Sequence, residues 1–217
     1  MPPFELWPVP FFLDPNNLAA DAVVTFVVAF LLAITINAEA QAYVASFLGD
    51  HRPGAKDRLH FIAFFHMDVL GTASYLVGGF GWPRTIAIDP EKLKHPRLYL
   101  VLIRLAGPFA NLLMGSIVGS IVFVMKLVEF DPRVFAMVVG VNVTTAIYNL
   151  LPLPPMFGGS VIAALIPQRF KKIKLTFWLA GPFAILAIIL LERITRQGII
   201  SPYFNPIITK IFQYIMG

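Results

Sequence analysis

Four apolar runs limit what this chain can fold into: Leu18 to Leu48, Leu98 to Val128, Val134 to Leu153 and Leu175 to Leu191. Each is close to or above the roughly 20 residues that a helix needs to cross the hydrocarbon core of a bilayer. Apolar residues make up 58% of the 217 and charged residues only 13%, too oily a balance for one water-soluble domain of this length. The chain therefore reads as an α-helical polytopic membrane protein with the lipid bilayer as its solvent. A fifth stretch, Phe61 to Phe80, is apolar but broken by His66, Asp68 and several glycines. Broken backbone at membrane depth has to be sheltered by protein or line a cavity, because lipid offers its N–H and C=O groups no partner.

A formal net charge of +5 raises nucleic acid as a partner, and the placement of the charge removes it. Basic residues occupy short connections beside apolar runs: "RFKKIK" at Arg169 to Lys174, and Arg52, Lys56, Arg58, Arg84, Lys92, Lys94, Arg97 and Arg104. Such placement sets membrane topology. With the acidic turn "EFDPR" (Glu129 to Arg133) on the other side, the basic loops are expected to be cytoplasmic and the N-terminus outside. The lead-in "MPPFELWPVPFFLDPNN" has no Lys or Arg and is read as an uncleaved interfacial segment. The absence of cysteine excludes disulfides, thiolate metal sites and cysteine nucleophiles.

A single domain over 1–217 is expected, since no low-complexity tract interrupts the chain. The hexapeptide "LAGPFA" occurs twice, at Leu105 to Ala110 and Leu179 to Ala184, and reads as a pair of Gly-Pro kinks that let helices pack closely. Between the first two long helices, "RLHFIAFFH" and "RTIAID" have the β-branched and aromatic content of strands, so a short interfacial β element is expected there. The last segment, Ile199 to Gly217, carries two prolines and reads as an interfacial amphipathic helix.

Five motifs then fall in order: "NAEAQAYVASFLGD" from Asn37, "HMDVLGT" from His66, "FGWPRTIAIDPEKLKHPR" from Phe80, "LAGPFANLLMG" from Leu105 and "YNLLPLPPMFGG" from Tyr148. This series resembles the small bacterial branch of the site-2 protease family, intramembrane zinc metallopeptidases, over essentially the whole chain. The resemblance implies a site-2 protease-like core of about four to six membrane helices in the bacterial inner (cytoplasmic) membrane. Active members carry His-Glu-x-x-His on the first motif helix: two histidines at i and i+4 share a zinc ion and the Glu serves as general base. A third ligand is an Asp in Leu-Asp-Gly. Carried over residue by residue, these positions are Asn37, Ala38, Gln41 and Phe157.

All three ligands and the base are thus replaced, and neutral amides and a phenyl ring make poor zinc ligands. Phe157 is expected to plug the vacated cavity, while Asn37 and Gln41 hydrogen-bond to each other or to a neighbouring helix. Glu39 cannot stand in for the base, because it lies about 200° around the helix from Asn37. The four histidines, His51, His60, His66 and His95, contain no i, i+4 pair, so neither metal nor other cofactor is expected. The reading that follows is a catalytically inactive homologue, a pseudoprotease serving as a binding or scaffolding subunit among other integral membrane proteins. Two alternatives stay open: an active metalloprotease with a relocated metal site, and a regulator that binds membrane helices without cutting them.

Five residues are candidates for binding a helix or peptide: Glu39, Asn111, Asn149, Gly115 and Gly119. In active relatives the positions of Asn111 and Asn149 line the substrate site; here they, with Asn142, can equally satisfy unwound backbone. A carboxylate such as Glu39 costs about 2.5–3.5 kcal/mol at the centre of a membrane helix, so it needs a partner or an aqueous end. Arg104 is the expected intramolecular partner, with a basic residue of another protein as the alternative. Gly115 and Gly119 offer a close-packing surface at four-residue spacing. His66 and Asp68 lie in the motif that shapes the segment beside the active site in relatives, and His60 and His66 would share one face of a strand.

Overall fold

The computed structural model describes residues 19–51 and 59–217, so the lead-in and the basic Arg52 to Arg58 stretch lie outside it. Seven α-helices follow one another: α1 (Ala20–Phe47), α2 (Val69–Gly78), α3 (Pro96–Leu127), α4 (Arg133–Tyr148), α5 (Phe157–Leu165), α6 (Lys171–Thr195) and α7 (Ser201–Met216). Three of them, α1, α3 and α6, are long and apolar enough to cross a membrane. The expected run Val134 to Leu153 is the 16-residue α4, shorter than a spanning helix needs. It breaks at Asn149 and resumes after the proline-rich turn as the 9-residue α5.

The breaks follow from local chemistry. Helix α1 runs uninterrupted because Ala20–Phe47 contains neither Gly nor Pro. It stops at Gly49, whose φ of +116° suits only glycine and whose missing side chain admits the carbonyl of Lys92. Asp68 starts α2 by accepting the N–H of Gly71 at 2.7 Å, and Gly79 ends it in the left-handed conformation. Proline opens α3 at its first position, where a missing N–H costs nothing.

Helices α1, α3 and α4 pack on one another, α7 lies against α3 and α4, and α2 pairs with α6. Helix α4 is the hub, with every residue from Ala136 to Tyr148 buried. Its last ring, Tyr148, sits between Phe80 (3.7 Å between centroids) and Phe204 (5.1 Å), which ties the α2 exit and α7 to the same spot. Both Gly-Pro motifs mark close approaches: a Cβ on Gly107 would meet Asn37, and one on Gly181 would meet the carbonyl of Pro154.

The expected β element is absent among the described residues, apart from one isolated bridge between Met67 and Pro83. The reason lies in where the backbone donors go. Leu59 and His60 give their N–H groups to the Glu39 carboxylate, not to a neighbouring strand, and Ala63–His66 then closes into a 3-10 turn.

Candidate functional site

The α1 face of Asn37 and Gln41 is occupied by a ladder of amides. Gln41 Nε2 donates to Asn37 Oδ1 (2.7 Å), and Asn37 Nδ2 donates to Asn111 Oδ1 on α3 (2.6 Å). Asn111 Nδ2 continues to the Ala33 carbonyl and to Asn142 Oδ1 on α4 (2.9 Å each), and Asn142 Nδ2 ends on the Val138 carbonyl (2.9 Å). At the other end Arg104 donates through Nη1 to Gln41 Oε1 (2.7 Å) and through Nη2 to the Ile86 carbonyl (3.3 Å).

Every side-chain oxygen that could face a cation here already accepts an N–H, and Asn37, Asn111 and Asn142 are fully buried. Gly107 lets α3 close onto the amides, where a Cβ would meet Asn37 and Gln41. A metal does not fit this face. Ala38 packs with Ala42, Ala45, Ile86, Leu93 and Ile103 in a small apolar cluster, and Phe157 opens α5 half-buried. Asn149 ends α4, donating to the Thr145 carbonyl while its own carbonyl holds Gly158. Gly115 packs against Val143 and Gly119 against Ile215, so both glycine surfaces are covered by this chain's own helices.

Glu39 presents a different chemistry on the far side of α1. Its carboxylate is 4% exposed and takes the N–H of Leu59 on Oε2 (2.7 Å) and that of His60 on Oε1 (3.0 Å). His66 Nε2 lies 2.9 Å and His60 Nδ1 3.9 Å from the same Oε1. The two imidazoles are 5.3 Å apart between centroids, and Phe65 flanks His60 at 5.0 Å. His66 is fixed from behind: its carbonyl accepts the N–H of Arg84, and the next two residues are held by the Pro83 bridge and by Trp82 Nε1 on Asp68 (3.0 Å).

One ligand atom from each of Glu39, His60 and His66 lies within 4.8 Å of the others. Two imidazole nitrogens and one carboxylate oxygen are a donor set of catalytic zinc, which uses three protein ligands and leaves a fourth position open. The burial suits that use, since Glu39 and His66 are enclosed while the His60 side chain is 25% exposed.

Two expectations are corrected by this geometry. Glu39 is not partnered by Arg104, which binds Gln41 and Ile86, but by two backbone amides and a histidine. His60 and His66 do come together with Glu39 despite lacking i, i+4 spacing, because the 3-10 turn at Ala63–His66 brings His66 back beside His60. The signal available in the sequence was the lone intramembrane carboxylate itself, whose burial demands a partner.

No family model and no solved structure matches the chain. It is 34% identical over 170 residues to a Bacillus subtilis (strain 168) protein named "Putative zinc metalloprotease YwhC", a match covering 74% of this chain and 76% of the relative. That name, together with the Glu39–His60–His66 group, overturns the expectation of a non-enzymatic pseudoprotease subunit without a metal: both point to an enzyme.

Proposed function

Because the chain belongs to the zinc metalloprotease family of its Bacillus subtilis relative, we propose that it is a membrane-embedded peptidase whose metal is held by Glu39, His60 and His66. The observation that carries this reading is the convergence of those three ligand atoms beside a spanning helix, while the Asn37 face is occupied by paired amides. A zinc ion held there would activate water and polarise the scissile carbonyl. The chain's own residues supply the rest. Leu59 and His60 aim the carboxylate with their N–H groups, and Trp82, Asp68 and Arg84 fix the backbone around His66.

The order of the motifs and the three spanning helices support a site-2 protease-like core in the inner membrane, with segments of other integral membrane proteins as substrates. Metal content and cleavage of a membrane-protein substrate, measured on the full chain in detergent, test the proposal. About one zinc per chain is expected. Zinc and cleavage should both disappear in Glu39→Gln and His66→Ala and survive in Asn37→Ala. Zinc retained in the first two variants, or a parent chain with neither zinc nor cleavage, overturns it.

A further inference from the structure

Resting on the metal assignment above, we infer that the backbone at Leu59 and His60 is an outer shell of the site, an amide cradle that aims Glu39, with Leu59 as its positioning residue. The two N–H groups divide the carboxylate between them, Leu59 on Oε2 at 2.7 Å and His60 on Oε1 at 3.0 Å. Consecutive N–H groups of an extended chain point in opposite directions. They converge on one anion only where the residue between them is curled, as in the anion-binding nests of backbone amides.

Leu59 supplies that curl with φ +55°, the left-handed conformation. A leucine is not placed there by preference: the conformation brings its Cβ against the following carbonyl. Glycine would satisfy the turn alone. Outliers of this kind persist where the surroundings over-determine them, and they gather at functional sites. Here the surrounding constraint is the buried carboxylate, with His66 on the same oxygen.

An ionised carboxylate has about four lone-pair directions. The two amides take one direction on each oxygen and leave the others able to face a cation beside His66. Partners that orient metal-binding side chains in this way typically contribute 10–100-fold in metal affinity.

An amide-to-ester replacement at Leu59 tests the inference, because it deletes one N–H and keeps the side chain. The full chain is titrated with zinc against a chromophoric chelator, and the cobalt-loaded form is examined for its d–d bands. The ester is expected to weaken zinc binding about 10- to 100-fold and to shift the cobalt bands. An ester that binds zinc like the parent with an unchanged cobalt spectrum refutes the cradle and leaves the metal site standing; a parent that takes up no zinc refutes both. If the Leu59 ester does not accumulate, the His60 ester deletes the donor to Oε1 and gives the same reading.

Discussion

Gly107→Ala probes the closed face of α1 directly. The added Cβ would run into Asn37 Oδ1 and lie 2.8 Å from its Cγ and 2.9 Å from Gln41 Nε2. Asn37 cannot swing aside, since Gln41 holds its oxygen and Asn111 holds its nitrogen. Either α3 retreats or the ladder breaks. Overpacking of this size costs about 1–3 kcal/mol, and interhelical hydrogen bonds in membrane proteins add roughly 0.6 kcal/mol each, up to about 1.7. Together they put Gly107→Ala near 3 kcal/mol, order of magnitude. Asn37→Ala alone loses two such bonds, about 1–2 kcal/mol. In the double variant the two closest contacts vanish and only the mobile end of Gln41 remains near the new methyl. The pair should therefore be less destabilising than the sum by about 1–2 kcal/mol, well above the 0.3–0.5 kcal/mol expected of independent sites. Reversible unfolding in mixed micelles with increasing dodecyl sulfate measures all four corners of the cycle. Additive effects, or a Gly107→Ala protein as stable as the parent, would refute the close packing of α3 on the amides.

Three further outcomes are expected. Asp68→Ala removes the N-cap of α2 and the acceptor of Trp82 Nε1; it should cost about 0.5–2 kcal/mol and shift tryptophan emission, whereas Asp68→Asn should recover part of both. Asp131, in the turn before α4, is held below the ordinary carboxyl value first by the N–H and then by the guanidinium of Arg133. Its contribution to stability is present above the unfolded carboxyl pKa and lost as pH falls through the lowered folded value, so a carboxyl NMR titration of Asp131→Asn against the parent should lack one low-lying midpoint. A photo-crosslinking residue at Tyr43, exposed one turn beyond Glu39 on the same face, should capture substrate, while one at Leu113 on α3 should not; equal capture at both would place the site elsewhere.

Helices α1, α3 and α6 were legible as long apolar runs, whereas the run from Val134 to Leu153 hid a helix that ends at Tyr148; the Gly-Pro motifs announced close packing through residue type alone. The Asn37–Gln41 bond was legible as an i, i+4 pair on a helix. The continuation to Asn111 and Asn142 was not, since those partners stand 74 residues away and then 31 further along the chain. The β element misled for a related reason: Phe, Ile and His in "RLHFIAFFH" have strand content, but a strand needs a ladder, and the donors at Leu59 and His60 were already committed to Glu39. The histidines were missed because a helical spacing rule was applied to a segment whose closeness is made by a 3-10 turn.

The two faces of α1 follow one electrostatic logic. Asn37, Gln41, Asn111 and Asn142 form a self-satisfying row in which no side chain is charged until Arg104 at its rim. Neutral groups that pair among themselves can be fully buried at little cost, and these three asparagines are. A carboxylate cannot, and Glu39 is enclosed only because chain from the following loop returns to it with two amides and an imidazole. A buried anion with a partly exposed second imidazole at its edge keeps the capacity to receive a cation, which the amide row has lost. Among the described residues, the side chains that could share a cation are Glu39, His60 and His66, on the side of α1 that the family's histidine spacing does not mark.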